Sequence, residues 1–328
     1  MEQRRAEAGA RVHRGHARVG PSGVSAGSSA PPLLVVGYAN VDLIARLPET
    51  ARPGRRLTVE RIEVAPGGMA ANTACVVASL GSPVALYAAV GDDCFGRFLL
   101  DAWAVCGVDA GHVLRSDTRA TTKCLISVCA DGERTIISEA IAFDYGHLWT
   151  SLSKDRFPNG TIVYFDGYRL SDFNEAADLA RKRGCAVAAD LDGCEDARVL
   201  SEALPRLDIV FSNRSTLARL VGDLPLPQAL SEIAARGPRV VIGTSGREGA
   251  WILSGGSTTH VEGHAVDVVD TTGAGDTFDG AFLHAYGLSL DELWSTRYAN
   301  AAAAISTSGT GALGHIPTDS EIRRLLAG

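Results

Sequence analysis

The chain has 328 residues, 46% of them apolar and 21% charged, enough to bury its own core without disulfide or metal staples. Its 31 basic residues against 38 acidic ones give a net charge of −7, which excludes the basic footprint of a nucleic-acid binder. No apolar run reaches the ~18 residues of a membrane span, and three lysines (123, 154 and 182) with no Gly-Lys dipeptide leave no Walker A loop.

In chain order, residues 1–32 come first, with five arginines, two glutamates, scattered Gly and Ser and no apolar period. Such a segment is predicted to be disordered, a solvated extension or mis-assigned start rather than a transit peptide. One α/β domain is predicted over 33–328. Leu33–Val36 reads as a strand, Ala70–Leu80 as a helix, Val84–Val90 as a strand and Phe95–Cys106 as a helix. Ile162–Phe165 is a predicted strand, Phe173–Arg183 a helix, and Ala186–Ala189 and Ile209–Phe211 are strands. Ser215–Val221 and Gln228–Arg236 are predicted helices, and Arg239–Gly243 a strand. Glycines 81, 107, 184, 222 and 237 stand just past helices, where a left-handed C-cap suits glycine. Strand–helix alternation of this kind implies a mostly parallel sheet with helices on its faces. Near the end, Thr318-Asp319-Ser320-Glu321 is a capping box opening a last helix.

Two segments break the rhythm. Arg46–Val64 carries Leu57–Val59 and Ile62–Val64 without a helical period, and Thr121–Ser138 has β-like runs around Ala130-Asp131-Gly132-Glu133, a hairpin signal. They are predicted to pair as one small β lid, inserted from about 46–64 and 118–138, over the strand C-termini where open α/β sheets bind ligands. An exposed edge of such a lid invites pairing, so a homodimer through it is an expectation. Seven cysteines without a C-x-x-C pair point to a reduced interior and a cytoplasmic location.

The sharpest chemical signal is Asp270-Thr271-Thr272-Gly273-Ala274-Gly275-Asp276-Thr277-Phe278, between the β-rich run Ala265–Val269 and the helical stretch Phe278–Tyr286. Small residues at a helix start leave amides free to converge on an anion, helped by the helix dipole. A carboxylate beside an anion hole is costly unless chemistry needs it. Asp276 fits a base that takes a proton from a hydroxyl while the amides of Gly273, Ala274 and Gly275 hold a transferring phosphoryl group.

Asp270–Asp276 resembles the D-T-x-G-A-G-D signature of the ribokinase-like (PfkB) carbohydrate kinases. Four further stretches match that family in order: Gly37-Tyr38-Ala39-Asn40-Val41-Asp42, Gly67-Gly68-Met69-Ala70-Ala71-Asn72, Gly91-Asp92-Asp93-Cys94-Phe95-Gly96 and Ala299-Asn300-Ala301-Ala302. The resemblance implies a three-layer α/β/α domain with a mostly parallel central sheet and a small β lid. It also implies an ATP-dependent phosphotransferase acting on a primary hydroxyl of a small sugar, with Mg²⁺ and, at a further site, K⁺. Asn40, Asp42, Gly67, Gly68 and Asn72 fall where such enzymes hold sugar hydroxyls, although Asn40 and Asp42 also suit a turn after the first strand. Thr244-Ser245-Gly246-Arg247-Glu248-Gly249 resembles the family's nucleotide loop, with Thr244 and Gly246 near the phosphates, or else a plain hairpin. Asn300 is placed beside the adenine, alternatively as a helix-surface amide. Asp270, with the Thr272 carbonyl and carbonyls near Thr307–Gly311, matches a monovalent-cation site.

Two departures qualify the match. The family's N-x-x-E appears as Asn213-Arg214-Ser215-Thr216, so Asn213 is kept for Mg²⁺ and phosphate handling while Thr216 replaces the acid. Met69 stands where ribokinases carry lysine, which argues against assuming ribose. Asp166, at the end of a core strand, is a further candidate to face the substrate, against an ordinary strand-end turn. Nucleoside kinase activity, or a catalytically weak sugar- and nucleotide-binding pseudokinase, are the alternatives, and Arg55, Arg56 and Arg61 offer positive charge for a phosphorylated sugar. His260 and His264 lie in a β-rich stretch, where their spacing makes a poor metal pair.

Overall fold

In the computed structural model, residues 32–129, 134–141, 143 and 160–328 are described. The segment expected to be disordered lies outside them except for Pro32, as does the Ala130–Glu133 turn. The chain opens with β1 (Leu33–Val36), β2 (Asn40–Leu47), β3 (Ile62–Gly67), α1 (Met69–Ser79), β4 (Val84–Tyr87), β5 (Ala89–Gly91) and α2 (Cys94–Cys106). Next come β6 (Leu114–Ser116), β7 (Lys123–Cys129), β8 (Arg134–Ser138), β9 (Ile162–Phe165), α3 (Asn174–Lys182), β10 (Ala186–Asp190) and α4 (Ala197–Ala203). The remainder is β11 (Ile209–Asn213), α5 (Arg214–Val221), α6 (Leu226–Ala234), β12 (Val240–Thr244), β13 (Ala250–Ser254) and β14 (Ser257–Val261), then α7 (Ala274–Ser289), α8 (Glu292–Ser306) and α9 (Asp319–Ala327).

Eight strands form the main sheet in the order β14-β13-β12-β11-β10-β9-β1-β4, parallel except for the antiparallel β13 and β14. Its central strands are continuous runs of Val, Ile, Ala and aromatic residues, buried on both sides as a covered parallel sheet requires. One face packs α1, α2, α7, α8 and α9 around Trp103, Phe278 and Phe282. The other packs α3, α4, α5 and α6 around Phe165, Phe173 and Leu230. The result is an α/β/α sandwich whose parallel strands all end on one side. All five glycines expected to stop helices have positive φ. At Gly107 the left-handed turn lets its amide close on the carbonyls of Ala104 and Trp103. The capping box at Thr318 and Glu321 is formed in both directions.

A second, four-stranded sheet has the order β3-β2-β7-β8, with β2 and β7 parallel and both outer pairs antiparallel. Its strands reach closer to the main sheet than the expected 46–64 insertion, since β2 begins at Asn40 and β3 ends at Gly67. Leu57–Val59 is not in a strand. Three local readings are corrected. Val84–Val90 is two strands, because β5 leaves the main sheet to pair with β6. The helix expected from Phe173 is preceded by a 3₁₀ turn, Gly167–Phe173, started by the Asp166 side chain. Ala265–Val269 forms no strand; the amides of Val269 and Asp270 turn to the Thr307 carbonyl instead, at 2.8 and 3.0 Å.

Candidate active site

The C-terminal ends of the parallel strands and the start of α7 face a crevice bordered by the small sheet. Gly273 caps α7 in the left-handed conformation, φ 74°, and a Cβ there would stand 2.6 Å from the Ala312 Cα, so only glycine permits this turn. Ala274 N turns back to the Thr271 carbonyl at 3.3 Å, while Gly275 is exposed and has nothing within 4 Å of an added Cβ. The first turn of α7 is therefore open at Gly275.

Asp276, half-buried, belongs to this first turn. Asn72, buried on α1, donates its amide N–H to Asp276 Oδ2 at 2.7 Å, and the Asn72 Oδ1 is buried with no partner among the described residues. An orphaned acceptor beside a carboxylate suits an incoming hydroxyl. Burial pushes the Asp276 carboxyl up to about 7; the charges of Asp166, Asp192 and Asp42 add to the rise and the Asn72 hydrogen bond opposes it.

Asn40 and Asp42 lie on β2, on one face because they are two residues apart. Both are buried, Asn40 Nδ2 donates to Asp42 Oδ1 at 2.6 Å, and burial pushes the Asp42 carboxyl up to about 6. Gly67 pairs with Asn40 across the ladder, and a Cβ there would meet Asp42 Oδ2 at 2.4 Å. Gly68, φ 100°, passes so close to the Tyr38–Ala39 backbone that a side chain would sit 2.5 Å from the Ala39 Cα. Asp166 is fully buried and accepts the backbone N–H groups of Tyr38 and Tyr168, so it fixes the Gly37–Tyr38 turn that starts β2.

On the opposite side, Asn213 caps α5, accepting from Thr216 N at 2.8 Å and Ser215 Oγ at 2.6 Å. Its amide N–H binds Asp192 Oδ2, and Asp192 Oδ1 takes Asn213 N at 3.1 Å and Ser212 Oγ at 3.2 Å. Thr216 is buried, and Arg219 Nη2 donates to its hydroxyl at 3.4 Å. Thr244 ends β12, and Gly246 is open, with nothing within 4 Å of an added Cβ. Asn300 is buried and donates to the Glu262 carbonyl at 2.6 Å, so its amide tethers the loop after β14 to α8.

Asp270 accepts Thr272 N at 2.9 Å, Thr272 Oγ at 2.7 Å and Gly311 N at 2.9 Å. Burial alone would raise its carboxyl, yet these bonds and the nearby Arg46 charge hold it below its ordinary value. Gly311 N donates to Asp270 and the Thr307 carbonyl accepts from the amides of Val269 and Asp270, so the loop after α8 lies against the Asp270 turn. Among the described residues no cluster of three or more His, Cys, Asp or Glu could hold a metal. Asn213, Thr216 and Asp192 fit Mg²⁺ held through water and phosphate oxygens instead.

These features have counterparts in known proteins. A family model described as pfkB family carbohydrate kinase matches residues 31–319. The chain belongs to that family. Ribokinase from Haemophilus influenzae is 30% identical over 304 residues, covering 90% of this chain and 98% of its own. A nucleoside kinase from Methanothermobacter thermautotrophicus is 26% identical over 306 residues, covering 90% and 96%. The solved structure of Arabidopsis thaliana ribokinase complexed with ribose and ATP aligns with a TM-score of 0.80 at 26% identity, covering 91% of this chain and 99% of that one. This pfkB-family protein is thus a kinase of the sugar and nucleoside group, with the ribokinase fold. No helix among its described residues is long and apolar enough to cross a membrane.

Several residues around the site carry no signal in the sequence. Asp279, one turn beyond Asp276 on α7, is buried and accepts the Tyr164 hydroxyl at 2.8 Å. Asp190, at the end of β10, is buried against the same group, and burial holds both carboxyls well above their ordinary values. Asp192 was legible only as an acid just past a strand end. Arg46 and Arg134 had no motif at all, and their meaning depends on strand register.

Proposed function

We propose that this kinase transfers the γ-phosphoryl group of ATP to a primary hydroxyl of a small sugar, with Asp276 as general base. The observation that carries this reading is the Asn72–Asp276 hydrogen bond beneath the open first turn of α7. As the acceptor oxygen bonds phosphorus and the bond to the ADP oxygen breaks, the hydroxyl proton passes to Asp276. The Gly273–Gly275 amides receive the charge that develops on the moving group. Asn40, Asp42 and Asn72 hold the acceptor hydroxyls, Gly67 and Gly68 let the backbone approach them, and Asp166 holds the turn carrying Asn40. Thr244, Gly246 and Asn300 border the nucleotide site. Asn213, with Asp192 beside it, would hold Mg²⁺ through water, and the ion would neutralise phosphate charge. Asp270 and the Thr272 carbonyl would hold K⁺.

The small sheet acts as the lid and excludes water from the transfer, and two lids pair in a homodimer. Residues 1–32 take no part in the chemistry, and the protein works in the cytoplasm. A nucleoside acceptor is the second reading. It is favoured by Tyr168, whose ring is half-exposed and lies 5.4 Å from that of Tyr38, a surface on which a base can stack. Coupled detection of ADP with ribose, fructose, 2-keto-3-deoxygluconate, adenosine and cytidine separates the two. Asp276→Asn is expected to lower kcat about 10³-fold on the accepted substrate. Near-wild-type turnover in that variant would overturn the mechanism.

A further inference from the structure

Strand register places two arginines on the crevice-facing side of the lid. Asp42, Ile44 and Arg46 share one face of β2, and each has a cross-strand partner on β7: Cys124, Ile126 and Val128. These pair in turn with Ser138, Ile136 and Arg134 of β8. Arg46, Val128 and Arg134 therefore form one row across the sheet, four residues or about 13 Å along the strand from the Asp42 row. The row faces a cavity of about 610 Å³, closed on its other side by Val268, Val269, Asp270, Thr271 and Thr272.

Arg134 Nη1 donates to Thr272 Oγ1 at 3.1 Å, which ties the tip of the lid to the residue before the Gly273 turn. Neither guanidinium has an acidic partner within salt-bridge distance among the described residues, whereas Arg55 is paired with Glu49 and Arg61 with Glu63. The cavity's one carboxylate, Asp270, accepts three hydrogen bonds and stays charged near Arg46, so it offsets one of the two positive charges and not both. With one positive charge left over, the two guanidiniums favour a further anion between them, and their forks match the oxygens of a phosphate.

We infer that Arg46 and Arg134 form a phosphate-recognising site of their own, across the crevice from the Gly273–Gly275 amides. Its ligand is a phosphate monoester or terminal phosphoryl group that the lid brings into place on closing. The inference rests on the reading of the α7 turn as the transfer centre. Such a group has two sources, the terminal phosphate of the donor or a phosphate already carried by the acceptor.

Calorimetric titration of the full-length protein with ATP, ADP, fructose 6-phosphate and fructose distinguishes them. The comparison is between wild type, the R46A/R134A double variant and Arg134→Lys, each first shown to keep its melting temperature. A loss of tenfold or more in ATP affinity with ADP unchanged assigns the site to the donor. The same loss for fructose 6-phosphate with fructose unchanged assigns it to the acceptor. Arg134→Lys should recover only part of either, since it keeps the charge and loses the fork. Changes below twofold for every phosphate-bearing ligand, or equal losses for ATP and ADP, would overturn the inference. Normal binding without transfer to any acceptor would count against the proposed reaction and leave this comparison to decide the site.

Discussion

At the scale of single residues, Asp276 is tuned from opposite directions. Burial and the charges of Asp166, Asp192 and Asp42 raise its carboxyl to about 7, while Asn72 donates to the charged form and lowers it. A general base works deprotonated, so kcat/KM should rise with unit slope through about pH 7 and then level off. Asn72→Ala removes the opposing hydrogen bond and should move the inflection upward. Asp42→Asn removes a neighbouring negative charge and should move it downward. A pH–rate profile of the three proteins checks both directions. Opposite or absent shifts would mean that another group controls the profile.

At the scale of elements, α7 carries both Asp276 and Asp279, and the second has a cost. Asp279 and Asp190 are buried together with the Tyr164 hydroxyl, and burial raises both carboxyls well above the unfolded value near 3.8. A group raised on folding contributes stability below its unfolded pKa, and that contribution is lost as pH rises through the folded pKa. Asp279→Asn can still accept from Tyr164 but sheds the charge. It should gain about 1–3 kcal/mol over wild type at pH 8 and nothing at pH 4, by denaturant unfolding at each pH. What was legible in the sequence follows the same division. The helix stops, the capping box and the α7 turn were readable because each depends on residues within one turn of one another. β2 is not legible as a lid strand, because the role of Asn40–Leu47 depends on its pairing with the distant β3 and β7. The Asp190–Asp279 contact and the Arg46–Arg134 row likewise exist only after distant segments pair.

At the scale of the whole molecule, the lid's outer face is the unbalanced part. Val64, Leu43, Leu125 and Ile137 form one apolar row across all four strands of the small sheet, by the registers of β2 with β3 and β7 and of β7 with β8. Val64, Leu125 and Ile137 are 48, 44 and 61% exposed, and Ile62 beside them is 59% exposed. Leaving such a row in water forgoes the free energy that burial would release. In the proposed homodimer a second copy related by a two-fold axis would cover it with the same row, closing the assembly and leaving no face free to extend it. Sedimentation velocity of the wild type should show a dimer at micromolar concentrations. Leu125→Asp with Ile137→Asp should dissociate it, since a carboxylate buried at the centre of an apolar interface is unpaired. Because β2 carries Asn40 and Asp42 on its other face, the dissociated form should also show a raised acceptor KM with the ATP affinity unchanged. A wild type that sediments as a monomer throughout would refute the pairing, and a monomeric variant with an unaltered KM would separate assembly from substrate binding.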